Sequence, residues 1–283
     1  MLTLDAIASH RAVTYRTRED LRVKTREEAI SFADARGFMM FWPIKGVTMP
    51  SLWQSVVGDR MVPNDHDDPG HVTWSWKDAL LDQKRWYYGK VLRKKATIIS
   101  LDLAPTFYAL SENFGEPEED YLTQYRDGTM TAEAKQIYDA LLHNGAMNSP
   151  ALRRVTSMTD SKAGYRFNRG LAELQADFKV LPIGVAEAGA WNYAFIYECT
   201  HRHYPEILEA ARAIGITEAQ QRLVHLYFDS VGAATFSDVL KVFQWSRREM
   251  TGTIAALVEA GTLVDVGTLP DHKGTWLSLP SLS

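Results

Sequence analysis

The apolar positions between residues 216 and 279 fall into three helix-spaced groups and two strand-like runs. Leu223, Leu226 and Tyr227 recur at the spacing of one helix face. Thr217-x-x-Gln220 reads as a capping box ahead of them, and Gly232 closes that helix. Thr235-x-x-Asp238 opens a short second helix carrying Val239 and Val242. Trp245 makes the turn. Ser246-x-x-Glu249 caps a third helix, which runs through Ile254 and Leu257 to Ala260-Gly261. Two β-type runs follow, 262–269 and 275–279, joined by Pro270-Asp-His-Lys-Gly274. Three helices and a hairpin in so short a span give the layout of a winged helix, whose second and third helices form a helix-turn-helix.

Residues 131–199 repeat that spacing. Gly145 is followed by Asn148, Leu152 and Val155, and Gly232 by Thr235, Val239 and Val242, at the same offsets. Leu174 leads to Val180 and Gly184 as Leu257 leads to Leu263 and Gly267. Trp191 and Trp276 then fall in the second wing strands. The third helix starts four residues later in the first copy, which fits a longer turn at Thr159-Asp160. The β-runs 179–186 and 191–197 close this unit, with Cys199 just past them. Each short helix has one apolar stripe to bury, so the predicted fold class is mainly α with small β-hairpins (α+β), in tandem winged-helix units.

The first hundred residues are less regular. Residues 1–24 alternate charges and read as an arm or a loosely docked helix. Thr25-x-x-Glu28 caps a helix that Arg36-Gly37 closes. Phe38-Met-Met-Phe-Trp-Pro43 is an apolar run, and Met49-Pro50-Ser51 starts a short helix. The loop 59–73 has Asp65-His-Asp-Asp-Pro-Gly-His71 at its tip; Pro69-Gly70 is turn chemistry, so a solvated turn is read there and no metal. Trp74-Ser-Trp-Lys-Asp78 leads into a predicted long helix with Leu80, Leu81, Tyr87, Tyr88, Val91 and Leu92 inward. Residues 97–103 read as a strand ended by Pro105. The acidic stretch 112–120 reads as a linker. The predicted domains are an N-terminal helical region at 1–115, a winged-helix unit at 116–205 and a C-terminal winged-helix unit at 206–283. Spacing leaves open a third, degenerate winged helix within 25–110.

With 46% hydrophobic and 23% charged residues among 283, the chain has ample material for packed cores. No apolar run of about 18 residues predicts a membrane span, and Met1-Leu-Thr-Leu-Asp5 lacks a signal-peptide layout. The one cysteine can form neither an internal disulfide nor a cysteine zinc site, which favours a reducing cytoplasm. A net charge of −4 does not suggest a wholesale nucleic-acid binder, so any such contact must rest on local patches.

Such patches exist. Lys84, Arg85, Lys90, Arg93, Lys94 and Lys95 form the most basic stretch, interleaved with Trp86 and Tyr88. Two readings stand: phosphate contacts beside stacking rings, or a solvated helix face with core aromatics. Third helices of winged helices face the major groove. That places Lys162, Tyr165, Arg166 and Arg169 outward in the first unit, with Arg153 and Arg154 before them, and Arg247, Arg248 and Thr251 in the second. Its wing adds His272 and Lys273. Trp42, Trp74, Trp76, Trp86 and Tyr88 could instead line a pocket for a flat ligand or flipped base. His201-x-His203 reads as a surface pair. There is no phosphate loop and no nucleophile elbow.

Ala134-Lys135-x-Ile137, Leu141, Asn144-Gly145, Leu152-Arg153, Phe167-x-Arg169-x-Leu171-x-x-Leu174-Gln175, Tyr193-x-Phe195 and Arg202-x-x-Tyr204-Pro205 together resemble the AlkZ/YcaQ-type winged-helix DNA glycosylase superfamily. Pro50-Ser51-Leu52, Trp74-x-Trp76-Lys77-Asp78, Tyr88-Gly89-Lys90 and Ser100-Leu101-x-Leu103-x-Pro105 are most similar to an AlkZ-related subgroup. The resemblance implies tandem winged helices around a concave, DNA-binding face. The expected partner is DNA, duplex and damaged DNA included, in repair, and the expected protein is a monomer without a cofactor. The resemblance also implies a Gln-x-Gln or Gln-x-Asp catalytic motif after the first helix. Met40-Phe41-Trp42-Pro43 stands there instead, with no polar side chain to orient water or stabilise an oxocarbenium-like centre. Asp78 is the one substitute, and its other reading is a helix N-terminal residue favoured by the dipole. The alternatives are an active glycosylase with unfamiliar residues, or a module binding a ligand or protein through the aromatic pocket.

Overall fold

The computed structural model describes residues 2–63, 67–113, 115–269 and 274–283. The chain begins with α1 (Leu4–Thr14), capped by Thr3, and α2 (Arg26–Arg36), capped by Thr25. The strand β1 (Phe38–Met40) and α3 (Leu52–Val57) follow, then α4 (Val72–Leu80). The long helix expected beyond Asp78 stops at Leu80. Lys84 adopts a left-handed turn, φ 50°, and the aromatic run after it forms β2 (Tyr87–Gly89). Adjacent rings at Trp86, Tyr87 and Tyr88 suit a pleated, buried strand better than a helix. A one-turn 3-10 helix at Leu92–Lys94 leads to β3 (Thr97–Ile99). Pro105 starts α5 (Ala104–Tyr108) rather than simply ending a strand. The last part of the expected linker, 117–120, instead opens α6 (Pro117–Arg126): proline fits the first turn, and Glu118, Glu119 and Asp120 meet the positive end of the helix dipole.

Next come α7 (Ala132–Asn144), β4 (Met147–Asn148), α8 (Ser149–Val155), α9 (Ser161–Ala176), β5 (Val180–Ala186) and β6 (Ala194–Cys199). After α10 (Thr200–His203) and α11 (Pro205–Ala211), the same series returns. It runs α12 (Ile216–Val231), β7 (Ala233–Thr235), α13 (Phe236–Phe243), α14 (Arg247–Glu259), β8 (Val264–Gly267) and β9 (Trp276–Ser278). The sheets have matching orders, β4-β6-β5 and β7-β9-β8, so both wings fold the same way.

The match extends to single residues. Asn148 and Thr235 each cap the second helix of their module. The wing strands slip register between Pro182 and Gly184 in one module, and between Asp265 and Gly267 in the other. Those are the glycines that the spacing aligns; a bulge there bends each wing. Trp191 departs from expectation. It lies in the turn before β6, 91% exposed, and Ile196 holds the position across from Gly184 that Trp276 holds across from Gly267. Val155 is 52% exposed although its counterpart Val242 is buried. Cys199 ends β6 rather than following it. α12 begins at Ile216, so Thr217 lies inside its first turn and is not the cap.

The chain divides into two compact units. One comprises residues 1–76, 98–102 and 216–283. Here α1 is firmly docked rather than loose. The last four carbonyls of α12 have no partners within the helix. Gly232 N–H serves Phe228, Arg36 serves Asp229, the Thr14 hydroxyl serves Ser230 and Arg11 serves Val231 and Ala233. Beside them Leu2, Ile7, Ala233 and Trp276 form a small core. The second unit comprises 77–97 and 103–215. Its core joins Tyr121, Ile137, Leu141, Phe167, Leu174 and Val180. Helices α7 and α9 cross closely there, because a Cβ on Gly170 would meet the Ala134 nitrogen at 2.9 Å.

Candidate nucleic-acid interface

The third helix of the first module carries a sharply divided surface. Ala163, Gly164, Phe167, Gly170, Leu171 and Leu174 are buried. Lys162, Tyr165, Arg166 and Arg169 are exposed and, at i, i+3, i+4 and i+7, share one face. Asp160 caps the helix by accepting from Ala163 N–H, so this face begins at a well-formed N-terminus. Arg166 leans on Glu133 at 3.3 Å while its side chain stays 60% exposed. Arg154 is exposed, whereas Arg153 is occupied: it donates to Asn168 and lies 4.6 Å from the Phe167 ring centroid.

In the second module Arg247, Arg248 and Thr251 are exposed at the start of α14, over buried Met250, Thr253, Ile254 and Leu257. The Ser246/Glu249 capping box is present, so Glu249 is engaged with Ser246 backbone and held below the usual carboxylate range by those hydrogen bonds. Arg247 covers the Phe236 ring at 5.0 Å. Lys273 lies outside the described residues.

The basic stretch does not form the helical face expected of it. Lys84, Arg85, Lys90, Lys94 and Lys95 are exposed and Arg93 is half-buried, but they are distributed over a turn, a strand end and a 3-10 turn. Lys84 sits 5.4 Å from the Tyr204 ring. Lys94 lines a cavity of about 370 Å³ with Glu112, Glu173 and Asp177, a poor setting for phosphate.

The aromatic candidates separate as well. Trp42, Trp74 and Trp76 belong to one unit, and Trp86 and Tyr88 to the other. Trp42 stacks on His71 at 5.8 Å and meets Trp74 edge-on at 5.9 Å. Trp74 is 41% exposed and Trp42 half-buried, whereas Trp76, Trp86 and Tyr88 are core residues with little face to offer a base. His201 and His203 are half-buried rather than surface residues, and burial lowers both pKa values. Among the described residues no cluster of histidine, cysteine and carboxylate could hold a metal ion. Part of the acidic loop, 64–66, lies outside them.

Asp78 occupies the last turn of α4, not its first. The helix dipole therefore opposes its charge, and something else must hold it. Lys77 Nζ lies 2.7 Å from Asp78 Oδ1. Tyr193 donates its hydroxyl to the same oxygen at 2.8 Å and accepts from Lys77 at 3.0 Å. The ammonium is fully enclosed, 4.4 Å from the Phe195 ring and 5.6 Å from Tyr88. Burial lowers the Lys77 pKa against the opposing pull of Asp78. It raises that of the Tyr193 phenol, and the bond to Asp78 adds to the rise. Sequence reasoning missed Tyr193 as a partner, because 115 residues separate it from Asp78. The Lys77-Asp78 adjacency was the visible signal.

Two helix-turn-helix units with wings, each presenting cations on its third helix, define a tandem winged-helix protein. The AlkZ-related family model matches residues 23–244, and the chain belongs to that family. No curated protein matches it. The chain is also similar in fold to the solved structure of the Streptomyces sahachiroi DNA glycosylase AlkZ. The TM-score is 0.57 at 10% identity, covering 99% of this chain and 71% of that one. No described helix is long and apolar enough to cross a membrane.

Proposed function

We infer that the protein binds duplex DNA through its third helices and acts on damaged DNA in repair. The observation that carries this reading is the exposed stripe Lys162, Tyr165, Arg166 and Arg169 on a helix whose inner face is apolar but for Gln175 near its end. Three cations and a ring along one helix suit phosphates and base edges, and a chain of net charge −4 has little other reason to gather them. Family membership and the likeness to a DNA glycosylase support the same reading. Phe41 is buried, and the apolar stretch around it offers no amide or carboxylate for the expected catalytic motif. The test is duplex affinity against salt. Log affinity should fall linearly with log salt, with a slope near −0.9 per phosphate neutralised, roughly −3 to −5 for a face of this size. No binding at low salt, or a flat plot, contradicts the reading.

A further inference from the structure

The cavity that Lys94 shares with Glu112, Glu173 and Asp177 lies wholly within the second unit, and its wall holds more acceptors than donors. Glu173 is committed to the fold: its two oxygens accept from the Thr131 N–H and hydroxyl. Glu112 and Asp177 are held together by one amide. Gln124 Nε2 lies 3.1 Å from Glu112 Oε2, 3.1 Å from Asp177 Oδ2 and 3.2 Å from the Glu112 carbonyl. An amide nitrogen has two hydrogens for those three acceptors. The Thr129 hydroxyl, 3.3 Å from the same Glu112 oxygen, is also 3.2 Å from the Gln124 carbonyl. Lys179 reaches Asp177 Oδ2 at 3.2 Å but also donates to Asn113. Among the described residues Lys94 pairs with none of these carboxylates.

Gln124 supplies a second, independent observation. It lines the cavity, is 7% exposed, and its Oε1 has no hydrogen-bond partner. Turning the amide over gives no relief, because Oε1 would then face the three acceptors now served by Nε2. A buried acceptor without a donor destabilises a fold, so this wall has a place for a donor from outside the chain. The helix dipole acts in the same sense: α9 ends at Ala176, beside the cavity, and its negative end favours a cation. Leu110, Met130 and Leu174 complete the lining with apolar surface. We propose that the cavity binds a small primary alkylammonium ion. An ammonium carries three donors and no acceptor. Its head meets Glu112, Asp177 and Gln124 Oε1, and its carbon chain lies along Leu110, Met130 and Leu174. A volume of about 370 Å³ is at the lower end for small-molecule sites, which limits the ligand to a short chain. The described residues hold no cluster of histidine, cysteine and carboxylate for a metal ion, which sets an organic cation ahead of a metal. Nucleic acid is repelled here, so the site is independent of the DNA reading.

The experiment uses the full chain without DNA and titrates n-butylammonium chloride by calorimetry at constant ionic strength. Saturable binding with a Kd of about 5 mM or tighter is expected, with a melting temperature that rises with ligand concentration. n-Butanol lacks the charge and butyltrimethylammonium lacks the N–H donors, so each should bind about tenfold more weakly or worse. Glu112→Gln replaces an exposed side chain. It should melt as wild type does without ligand and weaken butylammonium binding about tenfold. Glu119→Gln makes the same change of charge on α6, away from the cavity lining, and should leave the affinity unchanged. Binding weaker than about 5 mM, butyltrimethylammonium binding as tightly as butylammonium, or Glu112→Gln binding as wild type does overturns the assignment.

Discussion

The two winged-helix modules solve one problem with different parts. Each first helix ends on a glycine with φ 75°, Gly145 or Gly232, and each leaves carbonyls that need donors. In the first module the donor follows in the chain: Arg202 bonds the Leu141 and Leu142 carbonyls at 3.0 and 2.7 Å. In the second the donors come from the far N-terminus, where α1 and α2 send Arg11, Thr14 and Arg36. The helix crossings differ likewise. Gly170 is needed where α9 meets α7, but the second module places Thr253 at that position and bonds it weakly to Gln220 at 3.5 Å. A shared fold thus tolerates exchange of its fastenings, provided every helix end is satisfied.

That comparison can be broken at several points. The largest effect is expected at Gly170→Ala, since the obstacle is backbone and cannot swing aside: about 2–3 kcal/mol of stability should be lost in chemical denaturation. Thr253→Ala in the second module should cost about 1 kcal/mol or less. Arg11→Ala removes one bond to the end of α12 at Val231 and one to Ala233 in β7, and should cost about 2 kcal/mol, with faster amide exchange at the end of α12. Arg202→Ala should act on the end of α7 in the same way, somewhat less because the Leu142 bond is solvent-exposed. The caps come next: Asn148→Ala and Thr235→Ala should each cost about 1 kcal/mol, and similar values would confirm their equivalence. The smallest effect is on pH dependence. Burial depresses the His201 pKa, so the unfolded chain takes up that proton more readily than the folded one. Its contribution is complete above about pH 6.5 and fades as pH falls through that value. His201→Gln should flatten the acid side of a melting-temperature profile. Cys199 is buried, and its thiol is pushed up to about 12, so it should resist disulfide reagents until the protein unfolds.

The modules were legible in the sequence because their signals are local. Capping residues, terminal glycines and apolar spacing lie within one helix turn of what they determine, and Asn148, Thr235, Ser246, Gly184 and Gly267 all act where the spacing puts them. The segment after Asp78 is not legible in this way: its apolar spacing suits a helix, while Tyr87 and Tyr88 are buried in a strand, just after buried Trp86, that only tertiary packing supplies. The docking of α1 was hidden for a similar reason. Arg11 is one charge among many in the sequence, and its carbonyl partners are 220 and 222 residues away. Of the candidate site, the exposed cations of α9 and α14 followed from helix periodicity. The clamp on Asp78 did not, since Tyr193 belongs to a distant wing.

The most direct test of the account compares the two third helices by charge reversal. Lys162→Glu, Arg166→Glu and Arg169→Glu together should lower the salt-dependence slope of duplex binding by about three, and Arg247→Glu with Arg248→Glu by about two. Both sets replace exposed residues, and only the Arg166–Glu133 pair and the cover of Arg247 over Phe236 are lost, so melting temperatures should fall only slightly. Reduced slopes in both variants, with folding intact, are the predicted result. Unchanged affinity and slope in either variant would contradict the claim that both modules meet DNA through these helices.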